Sequence, residues 1–215
     1  MADFTFIGDV HGNINEYLKL IQDEEYSIQL GDMGFDYSEL YNIDTKHHRF
    51  VPGNHENYPV LNVWLRKPNT FPVHGLFEMN DVKIFAFRGA FTIDQYRRVE
   101  GVDWFRDEEL EQEELHKTVD NIVEAKPKII VSHDCPAAVC NILIKKGMGD
   151  IVKHAPTYVP SRTQQAMQSA LDLLSVKPRY WIFGHHHVWF SELIEGTHFV
   201  CVPELCKYRI SVSVL

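Results

Sequence analysis

Five short, mostly apolar runs in this chain each stop at a small residue that is followed at once by side chains able to bind a metal. Phe4–Ile7 runs into Gly8-Asp9-Val10-His11, Ser27–Leu30 into Gly31-Asp32, and Arg49–Pro52 into Gly53-Asn54-His55-Glu56. Further on, Lys128–Val131 runs into Ser132-His133-Asp134, and Tyr180–Phe183 into Gly184-His185-His186-His187. Such short runs, bounded by turn residues, read as buried strands. Ligands of open α/β sheets bind outside the carboxyl ends of the strands, so five such ends should gather their Asp, Asn and His side chains at one place. A cluster of that composition reads as a metal-assisted active site.

Between and after these runs the pattern changes. Asn13 to Glu25 reads as a helix, with Asn13 and Glu16 as a capping pair and Ile14, Tyr17, Leu18 and Ile21 on one face. Asp107 to Ala125 reads as a second helix with acidic residues in its first turn, Ala137 to Lys146 as a third stopped by Gly147, and Ser161 to Ser175 as a fourth. Additional strand signals lie at Val82–Phe87, Val188–Ile194, Thr197–Val202 and Tyr208–Val214. The segments from Pro52 to Pro72 and from Gly147 to Pro160 read as long loops. Strands that alternate with helices early and cluster late predict a layered α/β domain mixing parallel and antiparallel strands. With 215 residues, no repeat and no linker, the expectation is a single domain over 1–215.

Several function classes drop out. No apolar stretch is long enough to cross a bilayer, and Asp9 interrupts the first run before a signal-peptide core could form, so the expected location is the cytoplasm. Cys135, Cys140, Cys201 and Cys206 form neither a secreted disulfide framework nor a CxxC knuckle, and read as buried or idle thiols. A net charge of −9 without a Lys/Arg run argues against duplex nucleic acid as a partner. It leaves a small anionic substrate open, because two divalent cations outweigh nearby carboxylates.

Asp9 and His11 stand two apart beyond a strand, so an alternating backbone would point both to one side and let them share one ion. His185 and His187 repeat the spacing, while Asp32, Asn54 and His133 sit on three further strand ends. Carboxylate, amide oxygen and imidazole together suit Mn, Fe or Zn. Seven such groups are too many for one ion and fit two, sharing a carboxylate and a hydroxide at ~3.5–4 Å separation.

The five blocks, in this order, resemble the GDxH, GDxx, GNH(D/E), (G/S)H and GHxH blocks of the calcineurin-like metallophosphoesterase superfamily, and their span covers most of the chain. The resemblance implies a core of two mixed β-sheets packed as a sandwich and flanked by helices. It implies Asp9, His11 and His187 on a first metal, Asn54, His133 and His185 on a second, and Asp32 bridging them. His55 would be a catalytic histidine that binds no metal, placed directly after Asn54 to protonate the leaving oxygen. The activity implied is hydrolysis of a phosphomonoester or a nucleotide phosphodiester by attack of a metal-bridging hydroxide. Glu56 reads as an orienting group and His186, pointing away by alternation, as a packing residue. His47, His48, His74, His116, His154 and His198 lack motif context and read as solvated or core histidines. Asp134 and Cys135 either line the cleft or form a turn and an apolar filler.

The stretch Gly89 to Glu109 interleaves aromatics with Arg97, Arg98 and Arg106, the candidate substrate contacts, and looks like a segment of small bacterial and phage-encoded members of the superfamily. Phosphoprotein phosphatases of the superfamily carry Asp-Arg-Gly after the second block. Here the chain reads Asp32-Met33-Gly34, without the arginine that grips phosphate. A small phosphorylated or nucleotide substrate therefore ranks ahead of a serine/threonine-type protein phosphatase or a nuclease, and a non-catalytic scaffold ranks last because no ligand is missing. Oligomeric state leaves no signature in the sequence.

Overall fold

The computed structural model describes residues 3–211. The chain forms two mixed sheets. The first contains β1 (Asp3–Ile7), β2 (Tyr26–Gln29), β3 (His48–Phe50) and β10 (Lys207–Ser211), ordered β10-β1-β2-β3. The second contains β4 (Gly75–Met79), β5 (Val82–Phe87), β6 (Ile129–Ser132), β7 (Tyr180–Phe183), β8 (Phe190–Ile194) and β9 (Thr197–Cys201), ordered β4-β5-β6-β7-β9-β8. Within each sheet the central pairs are parallel, and β10, β4 and β8 run antiparallel at the edges.

Strand periodicity sorts the side chains into layers. Phe4 and Phe6 of β1, Ile84 and Ala86 of β5, Ile129 and Val131 of β6, and Ile182 of β7 fill the space between the sheets. The alternate residues Phe85, Phe87, Ile130, Trp181 and Phe183 face outward under α3 (Gln112–Ala125), α4 (Ala137–Lys146) and α5 (Arg162–Leu173). On the far side Ile7 packs with Tyr17 of α1 (Ile14–Ile21) and Leu61 of α2 (Tyr58–Leu65). The result is helix, sheet, sheet, helix, with the five motif-bearing strands split between the two sheets.

Some sequence expectations need correction. α2 lies inside the region read as a long loop: Pro59 is one of its first two residues, where a missing N–H costs nothing, rather than a breaker. Residues 107–111 stay out of α3, because Glu108 is buried against Thr92 and Glu109 against Thr163; Glu111 and Glu114 form the capping box instead. Asn13 makes no side-chain cap and donates to the Val10 carbonyl at 2.9 Å. Asp150–Thr157 is a 3₁₀ helix within the second expected loop, and β4 gave no separate signal. The last strand occupies Lys207–Ser211, and the expected continuation through Val214 lies outside the described residues. Among the described residues no helix is long and apolar enough to cross a membrane.

Glu24, in the turn after α1, ties β10 to β1. It accepts from Thr5 Oγ1 at 2.6 Å, Lys207 Nζ at 2.7 Å and Arg209 Nε at 3.2 Å. Burial alone would raise its pKa, but the bonds from Arg209, Lys207 and Thr5 outweigh burial and lower it from 4.5 to about 2. A depressed carboxyl contributes stability that is complete above the unfolded value and drains away as pH falls towards 2. Glu24→Gln is therefore expected to cost about 1–3 kcal/mol at pH 7. In urea melts the gap to wild type should be smaller at pH 3 than at pH 7. A gap independent of pH would contradict the charge-based account.

Candidate active site

Loops leaving β1, β2, β3, β6 and β7 bring Asp9, His11, Asp32, Asn54, His55, His133, His185 and His187 together. The backbone does so differently from the alternation expected for Asp9 and His11. β1 has already ended at Ile7, and His11, Asp32, His185 and His187 all adopt left-handed backbone, with φ of 49, 56, 64 and 50°. Non-glycine residues enter that region at a cost, and four at one spot mark a site where the surroundings over-determine the conformation. The N–H groups of Val10 and His11 both bond the Asp32 carbonyl, at 3.0 and 2.7 Å, locking the first two loops together. The small residues of the motifs serve close approach: a Cβ on Gly53 would collide with the Asp32 carboxylate, and one on Gly184 with that of Asp9.

Two sets of donor atoms converge. Asp9, His11 and His187 offer ligand atoms within 4.8 Å of one another, and so do Asp32, His133 and His185. In the first set His187 Nε2 lies 3.0 Å from Asp9 Oδ2 and 3.2 Å from His11 Nε2. In the second, His133 Nε2 lies 3.1 Å from Asp32 Oδ1, 3.1 Å from Asn54 Oδ1 and 3.2 Å from His185 Nδ1. Asp32 touches both, since its Oδ2 is also 3.9 Å from His11 Nδ1.

Partners further out aim these atoms inward. His133 Nδ1 sits 2.7 Å from the Leu30 carbonyl, which can only accept, so Nδ1 carries a proton and Nε2 is the atom turned to the cluster. Asp150 Oδ2 holds His187 Nδ1 at 3.1 Å and leaves Nε2 facing in. Asn54 Nδ2 donates to Thr92 Oγ1 at 3.0 Å, and Thr92 donates to Glu108 at 2.5 Å, which turns the Asn54 oxygen towards His133. Thr92, Glu108 and Asp150 escaped the sequence reading. The signal for Thr92 was Gly89, closing β5 as another strand end on the same side. Glu56 is a brace: it accepts from Met33 N at 2.9 Å, Gly53 N at 3.2 Å and Tyr37 Oη at 2.8 Å, joining the second and third motif loops. Glu56→Ala leaves three buried donors unmet, so a stability loss of about 2–4 kcal/mol is expected in chemical denaturation, against almost none if the loops hold without it.

Electrostatically the cluster calls for positive charge. Burial would lower the His133 pKa, yet the Asp32 charge and hydrogen bond, with Asp9 beyond, raise it to about 10. The hydrogen bond to Asp9 raises His187 to about 9 against the opposing effect of burial. Burial pushes Asp9 and Asp32 upward, but the neighbouring histidines hold both below the usual carboxylate range. Buried carboxylates that draw protons onto their histidines fit divalent cations in the same positions, and the O/N donor set suits first-row metals.

His55 stands beside the cluster, its Nε2 4.0 Å from Asp32 Oδ2 and 3.4 Å from Arg98 Nη2. A cleft of about 440 Å³ opens over the ligands, walled by Phe91, Thr92, Tyr96, Arg97, Lys153 and His154. His154, read from sequence as a solvated or core histidine, thus belongs to the cleft. Arg97 lies over the Tyr96 ring at the rim, and Arg98 pairs with Asp94 at 2.8 Å. Arg106 is not brought there; it is exposed and pairs with Glu100. His186 turns away to Asp134 Oδ1 at 3.2 Å and Cys135 Sγ at 3.5 Å, in the core under α4 and α5.

A family model described as calcineurin-like phosphoesterase matches residues 2–189. The chain belongs to that family. As a calcineurin-like phosphoesterase it is a phosphoric ester hydrolase of a group that uses divalent metals. A dimetal phosphatase from Danio rerio superposes with a TM-score of 0.54 at 12% identity, over 95% of this chain and 88% of that one. A protein of Thermus thermophilus gives 0.50 at 13% identity, over 95% and 90%. At such identities the likeness is one of fold. No curated protein matches the chain significantly by sequence.

Proposed function

We propose that residues 1–215 form one dinuclear phosphoesterase domain that hydrolyses a small phosphomonoester or a nucleotide phosphodiester in the cytoplasm. The observation that carries this reading is the pair of donor sets meeting at Asp32, with the His55 imidazole alongside. Asp9, His11 and His187 would hold one ion, Asn54, His133 and His185 the other, and Asp32 both. Manganese, iron and zinc all suit the donors. Two divalent ions there supply an activated water as nucleophile and neutralise charge that develops on the phosphoryl oxygens.

The chain's own residues do the rest. His55 donates a proton to the departing oxygen. Burial lowers its pKa, Asp32 opposes this and Arg98 adds to it, so a phosphoryl dianion entering the cleft raises its proton affinity where the proton is needed. Arg97, in the cleft wall, and Arg98, paired with Asp94 and 3.4 Å from His55, would supply to a bound phosphoryl group the charge that a protein phosphatase would take from the position of Met33. A net charge of −9 and the small cleft favour this over a nuclease. Four free cysteines are in keeping with a reducing compartment.

The test is a substrate panel with added Mn²⁺: nitrophenyl phosphate, bis-nitrophenyl phosphate, cyclic nucleotides and dinucleoside polyphosphates. Turnover of at least one, lost with chelator and restored by metal, is expected; metal-independent turnover would contradict the reading. Asp150→Asn should weaken metal binding about 10–100-fold by freeing His187, measured by titration with a competing chelator. Unchanged affinity would show that Asp150 plays no part in holding the ligand.

A further inference from the structure

A second cavity, of about 570 Å³, adjoins the catalytic cleft, and Phe91, Ile93, His154 and His185 line both. It lies between the loop after β5 and the segment that leads into α5. We infer that this cavity seats the organic group of the ester, and that the group is a flat, uncharged ring. The inference rests on phosphoester hydrolysis at the cluster and names the substrate class.

His185 belongs to a donor set and also forms the cavity wall, so a phosphoryl group at the cluster would have its substituent within reach. Small-molecule sites run to about 300–1,000 Å³, and the cavity falls within that range. Phe91, Ile93, Ile151, Tyr158, Val159 and Pro160 give it apolar and aromatic walls, and Phe91 and Ile93 are 38% and 41% exposed at the shared rim. Single exposed apolar side chains are ordinary, but two of them facing one cavity beside a polar cluster are a recognition surface.

Charge separates the possible substituents. The one guanidinium in the wall, that of Arg162, is engaged by Glu109 at 3.3 Å and Glu111 at 3.6 Å. Asp134 adds a carboxylate that is already bonded to His186, Gln164 and the Cys135 N–H. A second phosphate or an acidic sugar would meet the Glu109 and Asp134 carboxylates there, beside an Arg162 whose charge is already balanced by two carboxylates. A neutral ring meets apolar walls. The Tyr158 ring belongs to those walls, held in place by its hydroxyl, which donates to Gln164 Oε1 at 2.6 Å. Nucleosides and aryl alcohols share this chemistry.

The test compares kcat/KM for adenosine monophosphate, phenyl phosphate and glycerol 2-phosphate in wild type, Phe91→Ala and Tyr158→Ala. Equilibrium dialysis of adenosine and of phenol against the full chain runs alongside. Wild type should prefer a ring-bearing ester, and the ratio of the preferred ring ester to glycerol 2-phosphate should fall about 10-fold or more in each variant. The preferred ester and the ring retained in dialysis tell nucleoside from aryl. Phe91 is exposed, so its variant reads out even if Tyr158→Ala fails to fold. A wild-type ratio near one, equal losses on all three esters, or no retention of either ring would overturn the assignment. Failure of every ester to turn over in metal-loaded protein would sink the phosphoesterase reading instead, and dialysis would then decide the cavity by itself.

Discussion

Asp32→Asn is expected to lose bound metal and hydrolytic activity together, with turnover falling on the order of 10³-fold or more at low added metal. The change is isosteric, so it tests charge rather than shape. Asp32 is buried and its carboxyl is held well below its ordinary range: burial raises it, while His133, His55 and His11 lower it by more. Its Oδ1 also accepts the His55 N–H at 2.8 Å, a bond that an asparagine oxygen can keep. The fold should therefore survive, as circular dichroism and melting would show, while a neutral amide cannot serve two cations comparably. Full activity in the variant at limiting metal would remove Asp32 from its bridging position.

His55→Ala should behave in the opposite way, retaining both ions while hydrolysis slows on the order of 10²–10⁴-fold. Two features of the site make the expectation specific. The His55 contact that orders Asp32 is a backbone N–H, which alanine keeps. Its imidazole lines the open cleft with Nε2 3.4 Å from Arg98 Nη2, and stands 4.0 Å from Asp32 Oδ2, farther than the contacts within the donor set of Asp32, His133 and His185. The deficit should shrink for a nitrophenol leaving group, which departs without a proton, and stay large for an alkyl or nucleoside one. Equal losses across leaving groups would mean that His55 holds the phosphoryl group rather than donating to it. Loss of an ion would make it a ligand.

Much of the architecture was legible because buried strands leave a strong local record. The runs at 4–7, 27–30, 128–131 and 180–183 fall within one residue of β1, β2, β6 and β7. α4 keeps the bounds its sequence suggests, since Gly147 stops it in the left-handed region at φ 67°. Helix ends were less legible where side chains had long-range work. Glu108 and Glu109 look like first-turn acids, yet they are taken up by Thr92 and Thr163, which no local pattern could announce. α2 was hidden because its residues are apolar on most sides and its first turn holds a proline, Pro59.

At the site, the sequence supplied the donor residues and the structure supplied their means of convergence. Left-handed backbone at His11, Asp32, His185 and His187 replaces the alternation expected of extended chain. The supporting residues were out of reach for a different reason. Thr92, Glu108 and Asp150 act through hydrogen bonds across 16 to 38 residues of sequence, and nothing about a threonine or a glutamate in a loop marks such a duty. Arg106 shows the converse: proximity to the cleft in sequence did not bring its side chain there.

Metal content of the full chain, joined to anomalous scattering from its crystals, decides whether the site holds two ions. Two divalent ions per chain are expected in one cluster, one among Asp9, His11 and His187, the other among Asn54, His133 and His185, with Asp32 touching both. A single ion, with Asn54 and His133 making no metal contact at saturating metal, would contradict a two-ion site.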